Sequence, residues 1–243
     1  IGPILHREAI GFVEESLATR PEDPFFLYFA SPANHTPHTP CDEIDGVPVV
    51  GASAFVDGSP TGSERLDFVH ENDVLLGHLL DFLSDNPDPR RPGESLLGNT
   101  LVVFASDNGA ESRAKTATGP LRSNKGSVYE GGHRIPFLVS WPAGGVGGGR
   151  STESLLSLTD MFATLGEILG APLPDGACAE DSISQLGAML GREDVLPRPP
   201  VFSNDHNEAS KKKSDERAWV GISSRATPLP GQWKLLLDHR YAY

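Results

Sequence analysis

A chain of 243 residues that is 38% hydrophobic and 22% charged can bury one substantial α/β core with a smaller appendage, and is too apolar for wholesale disorder. Its formal net charge of −13 leaves no basic face of the kind that phosphate-backbone binding needs, which excludes nucleic acid as a partner; an anionic substrate would require a local cluster of positive charge or a metal. Cys41 and Cys178 are the only cysteines, so neither a disulfide framework nor a Cys-rich zinc site can be built.

The N-terminal "IGPILHREAIGFVEESL" lacks the basic and apolar regions of a signal peptide. Leu5, Ile10, Val13 and Leu17 predict a helix that stops before Pro21, entered in mid-domain without an initiating Met, so the chain is expected to be a fragment. "PFFLYFAS", Pro24 to Ser31, is short and uniformly apolar, as a central strand of a parallel sheet would be. It empties into "PANHTPHTP", whose three prolines hold His35 and His38 in a stiff loop. Residues 42–64 carry little periodicity and read as a long surface excursion. Glu64 to Leu83 is an amphipathic helix ended by "DNPDPRRPG". "NTLVVFAS" reads as a second buried strand, "IPFLVSWPA" as a third, and Leu155 to Leu169 as a further helix.

Strands alternating with helices imply a mostly parallel sheet sandwiched by helices. Ligands then sit beyond the carboxyl ends of the strands, so His35 is expected near Asp107 and Asn108. The tail, "PPVFSN", "RAWVGISS" and "QWKLLLD", reads as three short strands of which at least the last pair is antiparallel, a small C-terminal β subdomain. No run approaches the roughly 20 apolar residues of a membrane-spanning helix, and oligomeric state is left open.

The strand end "SDNG" has two readings. Asn-Gly between apolar runs is a hairpin signal, while Asp107 and Asn108 offer hard oxygen donors of the kind calcium or magnesium takes. Two donors alone are too few for a divalent site. His35 and His38 each suit general acid work or hydrogen bonding to an oxyanion, or simple bonding to loop backbone; no third ligand follows at a zinc spacing. Lys125, in "LRSNKGSVYEGGHR", fits no Walker motif. It stands with Arg122 and Arg134 in a short basic stretch of an acidic chain, and a cation, a lysine and a histidine together would suit a tetrahedral oxyanion. "SKKKSDER" is a solvated loop or a dock for an anionic polysaccharide.

Four segments in this order, "FFLYFASPANHTPHTP", "LDFVHENDVLLGHLLDFL", "TLVVFASDNGAES" and "GPLRSNKGSVYEGGHRIPFLVSWP", resemble the type I formylglycine-dependent sulfatases of the alkaline phosphatase superfamily. "LLSLTDMFATLGEILG" and "QWKLLLD" extend the resemblance over nearly the whole chain. It implies an alkaline phosphatase-like α/β fold, with residues 1–205 the C-terminal part of the catalytic domain and 206–243 the start of the β subdomain. Residue by residue, it implies that Asp107 and Asn108 are ligands of an active-site Ca2+ (or Mg2+). It also implies that His35 contacts the sulfate or the leaving oxygen, and that Lys125 binds the sulfate. For His38, Glu130 and Arg134 the match is positional only, and Glu130 is expected to pair with Arg134. His206 and Asn207 are candidate pocket residues, in a substrate-facing set with the loops at 42–64 and 110–121.

The family's Asp-Asp pair and its Cys- or Ser-x-Pro-x-Arg stretch, source of the formylglycine nucleophile, have no counterpart here: Cys41 is followed by "DEIDG" and Cys178 by "AEDSI". Both are expected upstream of Ile1, and the 243 residues alone are expected to be inactive. The expected activity of the parent protein is hydrolysis of a sulfate monoester on a sulfated small molecule or glycan, aryl or carbohydrate. The alternatives are a truncated or degenerate relative that binds anions or a partner without turnover, and a phospho- or phosphonate-ester hydrolase of the same superfamily. Family resemblance alone points to export, periplasmic, extracellular or lysosome-like.

Overall fold

A computed structural model of the chain describes residues 1–111, 117–171, 176, 179–192, 200–204, 219–224 and 233–238. These fall into two compact units, one of Ile1–Leu101 with Trp141–Gly144 and the other of Val102–Ser140 with Gly145–Tyr243.

In the first unit, helix α1 (Gly2–Thr19) opens with a proline in its first turn, where the missing N–H costs nothing. Its buried face is Gly2, His6, Ala9, Val13 and Ser16, at spacings of three and four. The expected apolar stripe of Leu5, Ile10 and Leu17 only flanks that face, half-buried. At the start of α1 the approach to helix α2 (Glu64–Asp85) is close: a Cβ on Gly2 would collide with the Glu71 carboxylate. The α2 N-terminus is capped by Ser63, whose Oγ accepts from Leu66 N–H at 3.4 Å. Val13 packs with Leu83 and with Leu96 of the short helix α3 (Leu96–Asn99), joined by Leu17, Phe25, Leu27, Leu79 and Phe82. Burying each of Val13, Leu83 and Leu96 contributes about 1.5–3 kcal/mol.

"PFFLYFAS" is no sheet strand. It alternates with period two instead: Phe25, Leu27 and Phe29 pack inward, while Phe26 and Tyr28 are 70% and 81% exposed. Residues 42–64 run mostly over the surface, as expected, but carry structure of their own. The two-residue strands β1 (Glu43–Ile44) and β2 (Val47–Pro48) form an antiparallel hairpin, and the segment drives Ile44 and Val49 into a second core with Val74 and Leu75. Its turn, Asp45-Gly46, has both φ angles positive, at 46° and 82°, as a type I′ hairpin turn requires.

In the second unit, β3 (Val102–Ala105) pairs antiparallel with β4 (Phe137–Ser140). The expected parallel sheet sandwiched by helices is therefore not what the described strands form; every strand pair among them is antiparallel. A parallel return needs a crossover, usually a helix of a dozen or more residues, whereas the polar, glycine-rich segment between β3 and β4 holds among its described residues only the four-residue α4 (Glu130–His133). The strands are also less buried than expected, with Phe104 37% and Leu138 59% exposed. Helix α5 (Asp160–Ile168) starts later than the predicted Leu155, because Asp160 folds back over its own entry: its carboxylate accepts from Ser157 N–H at 2.9 Å and from Ile183 N–H at 3.1 Å. Helix α6 (Leu186–Met189) follows. Strands β5 (Val201–Asn204), β6 (Trp219–Ser224) and β7 (Trp233–Asp238) make one antiparallel sheet in that order, so the tail sheet includes "VFSN" as well as the last pair. No helix among the described residues is long and apolar enough to cross a membrane.

Candidate active site at the β3 end

β3 ends in a tight polar turn. Ser106 Oγ donates to the Asn108 carbonyl oxygen at 2.8 Å, and Asn108 Nδ2 donates to Asp107 Oδ1. The Asp107 carboxylate is exposed and the Asn108 side chain half-buried. The hairpin reading of Asn-Gly fails on geometry: the chain does not double back here but runs on to α4 before returning as β4.

Backbone contacts fold that segment onto the strand end. Gly109 N–H donates to Gly132 O at 2.9 Å, Lys125 N–H to Ala110 O at 2.8 Å, and Gly131 N–H to Arg122 O at 2.8 Å. Such approaches require glycine. A Cβ on Gly109 would collide with Gly131 O, one on Gly131 with Ser123 O, and one on Gly132 with Ser127 O. The strand end carrying Asp107 and Asn108 is thereby laced to the loop carrying half-buried Lys125. Arg122 lies over the Tyr129 ring at 3.7 Å. Arg134 Nη1 is 4.0 Å from Glu130 Oε2, and His133 Nε2 is 3.5 Å from Glu130 Oε1. Sequence reasoning had singled out the lysine and missed the three glycines that seat it; the signal was there in "DNG" and "EGG", two glycine sites flanking one basic loop.

His35 stands in the first unit. The Asn72 amide on α2 anchors its loop by donating to Ala33 O at 3.2 Å, and Asn34 takes a left-handed φ of 80°, which asparagine tolerates better than most residues. His35 Nδ1 lies 2.8 Å from Thr36 O. A carbonyl only accepts, so Nδ1 carries the proton and Nε2 is the ring's second, exposed nitrogen: an acceptor when neutral and a donor when protonated. His38 is half-buried in the same loop. His206, Asn207 and the "SKKKSDER" run lie outside the described residues.

Cys41, the one cysteine among the described residues, is a poor nucleophile candidate. Burial, with the Glu71 carboxylate beside it, pushes the Cys41 thiol up to about 11, and a thiol that keeps its proton is a poor nucleophile. Asp107 and Asn108 offer a carboxylate and an amide oxygen, both hard donors and with no thiolate or imidazole in the pair. That set fits calcium, as part of the about six to eight oxygens calcium gathers, and magnesium only in its stricter octahedral geometry.

Residues 4–171 match the family model described as Sulfatase. Over 245 aligned residues the chain is 30% identical to the N-acetylgalactosamine-6-O-sulfatase of Bacteroides thetaiotaomicron, covering 96% of this chain and 42% of that protein. Human arylsulfatase A is 34% identical over 208 residues, covering 82% of this chain and 36% of the relative. Among solved structures, Ps i-CgsB in complex with k-i-k-neocarrahexaose aligns with a TM-score of 0.72 at 26% identity, covering 98% of this chain and 48% of that one. The chain thus spans less than half the length of these curated relatives. The ordered motifs around Asp107, Lys125 and His35 and the match of well over half the chain lead to one conclusion: this chain belongs to the sulfatase family.

Proposed function

We propose that the protein to which these residues belong hydrolyses sulfate monoesters, with carbohydrate sulfates as the preferred class. One observation supports the reading: the Lys125 N–H to Ala110 O bond seats the backbone of a cationic residue beside the strand end that carries Asp107 and Asn108, residue types suited to a small oxyanion and its counter-cation. Lys125 supplies a point charge to the sulfate. Asp107 and Asn108 hold Ca2+, which when bound supplies further positive charge against the sulfate oxygens. His35, whose Nδ1–H is held by Thr36 O, serves the leaving oxygen through Nε2: in its imidazolium form it gives up the Nε2 proton as the ester bond breaks and is left as the Nδ1–H tautomer. The nucleophile, a formylglycine, and the Asp-Asp pair come from outside these 243 residues, and an exported protein is the expected setting. A relative named for a sugar sulfate and a structural neighbour holding neocarrahexaose favour carbohydrate over aryl esters.

The test is sulfate release by the full-length protein, co-expressed with a formylglycine-generating enzyme, from carbohydrate and aryl sulfates. Turnover is expected, with Lys125→Ala lowering kcat/KM by about 10²-fold or more. The isolated 243 residues are expected to release none, and Asp107→Ala to weaken calcium binding. An absence of turnover on every ester, with the modification verified by mass spectrometry, overturns the proposal in favour of a non-catalytic anion binder.

A further inference from the structure

Three side chains from separate parts of the first unit converge on one another. His6 comes from the buried face of α1, His78 from α2, and Asp45 from the tip of the β1–β2 hairpin. Asp45 Oδ2 lies 3.8 Å from His6 Nδ1 and 3.6 Å from His78 Nδ1. The two rings are 5.6 Å apart between centroids and tilted by 60°. One ligand atom from each of the three lies within 4.8 Å of the others.

These separations are too long for hydrogen bonds, which fade beyond about 3.2 Å for nitrogen and oxygen. They are close to the spacing of ligands around a shared centre: bonds of about 2.0–2.1 Å to a tetrahedral zinc put neighbouring donor atoms about 3.3 Å apart. The small inward movement still needed is available to Asp45, whose side chain is 73% exposed. The turn that presents it is held in place because its flanking Ile44 is part of the core. Burial first, and then the neighbouring His78, lower the proton affinity of His6, with Asp45 opposing, so the ring stays neutral where a lone surface histidine would begin to protonate.

We infer that His6, Asp45 and His78 form a zinc site, distinct from the Asp107–Asn108 pair. Two imidazoles and one carboxylate suit zinc and disfavour calcium or magnesium, which take oxygen almost exclusively. Three protein ligands leave a fourth position for water, on the exposed side where Asp45 meets solvent. Bound zinc ties α1, the hairpin and α2 to one another and stabilises the folded unit by mass action. The charge balance is favourable: one carboxylate and two neutral imidazoles hold a dication in a strongly acidic chain.

The experiment uses the 243-residue chain freed of metal with a chelator, then titrated with Zn2+ in competition with a chromophoric chelator, and in parallel with Co2+. Expected are one tight equivalent of Zn2+, a visible Co2+ spectrum of tetrahedral intensity, and a Zn2+-dependent rise in Tm. Asp45→Asn and His78→Gln, both outside the most buried position, should each weaken Zn2+ binding by at least about 10-fold and abolish the Co2+ band. His70→Gln, on the same helix as His78, should change neither. No saturable equivalent, or one that survives both Asp45→Asn and His78→Gln, overturns the site; failure of sulfate ester turnover has no bearing on it.

Discussion

Two glycine-rich stretches, residues 42–64 and 106–134, look alike as sequence and are anchored differently. In the first, Gly46, Gly51, Gly58 and Gly62 all have positive φ and open space where a Cβ would stand. Their task is to turn the chain; main-chain bonds such as Thr61 N–H to Ser53 O at 2.9 Å close its turns, and side chains of α2 anchor it: the Asp67 carboxylate accepts from Gly51 N–H, Ser53 N–H and Ser53 Oγ, and Glu71 accepts from Cys41 N–H at 2.9 Å. In the second, Gly109, Gly131 and Gly132 abut backbone carbonyls, and main-chain bonds do the fixing. Glycine serves chirality in the first loop; the second has positive φ at Gly119 and Gly126 and adds close approach at Gly109, Gly131 and Gly132. Polar side chains are consumed as fasteners in the first loop; in the second, where main-chain bonds fasten, the strand end presents the Asp107 carboxylate to solvent.

The sharpest way to break this comparison is Gly131→Ala. Its Cβ would meet the carbonyls of Ser123 and Arg122, which are backbone atoms that cannot rotate away, so a loss of about 3 kcal/mol is expected in urea denaturation, with Lys125 displaced from the β3 end. Asp67→Ala comes next. Removing a buried carboxylate that accepts three hydrogen bonds should cost about 2 kcal/mol and loosen residues 51–53. The same group predicts a pH signature. Ser53 Oγ, then Gly51 N–H, hold the Asp67 carboxyl below its usual value. A depressed folded value means that the unfolded chain binds more protons in that range. The stabilisation is therefore complete above the unfolded value of about 4 and is lost as pH falls through it toward the folded one. Asp67→Asn should flatten that part of the stability profile, and an unchanged acid limb would sink the assignment. Gly58→Ala is milder: with φ of 82° and no atom within 4 Å, it meets only the left-handed penalty, about 1 kcal/mol.

The helices were legible because periodicity is local: the 3.6-residue pattern bounds α1 and α2 closely, and proline and asparagine mark their ends. The face of α1 that is buried was not, since it depends on a helix far along the chain, whose Glu71 leaves no room for a side chain at Gly2. Strand direction escaped for the same reason. "LVVFAS" looks the same whichever way its partner runs, and β4 proved antiparallel. The candidate site was legible in part: Asp107 and Asn108 announce themselves as polar residues following an apolar run, Lys125 stands in a short basic stretch of an acidic chain, and their order with His35 carries a family resemblance. The His6, Asp45 and His78 group was invisible, because nothing in the sequence joins a hairpin turn to two helices.

The smallest expected effect tests the other half of the comparison. If main chain rather than side chains seats the Lys125 loop, then removing its most conspicuous side-chain contact should matter little. Arg122 stacks on Tyr129 at 3.7 Å, and Arg122→Gln forfeits that attraction, about 0.5–1 kcal/mol near a surface. The Arg122 carbonyl still accepts from Gly131 N–H, and no glycine contact changes. The expected outcome is a loss below that of Gly58→Ala, with the amide protons of Gly131 and Lys125 as protected from hydrogen exchange as before. A cost rivalling Gly131→Ala, with those amides newly exposed, would mean that the guanidinium holds the loop and that the two stretches are fastened alike.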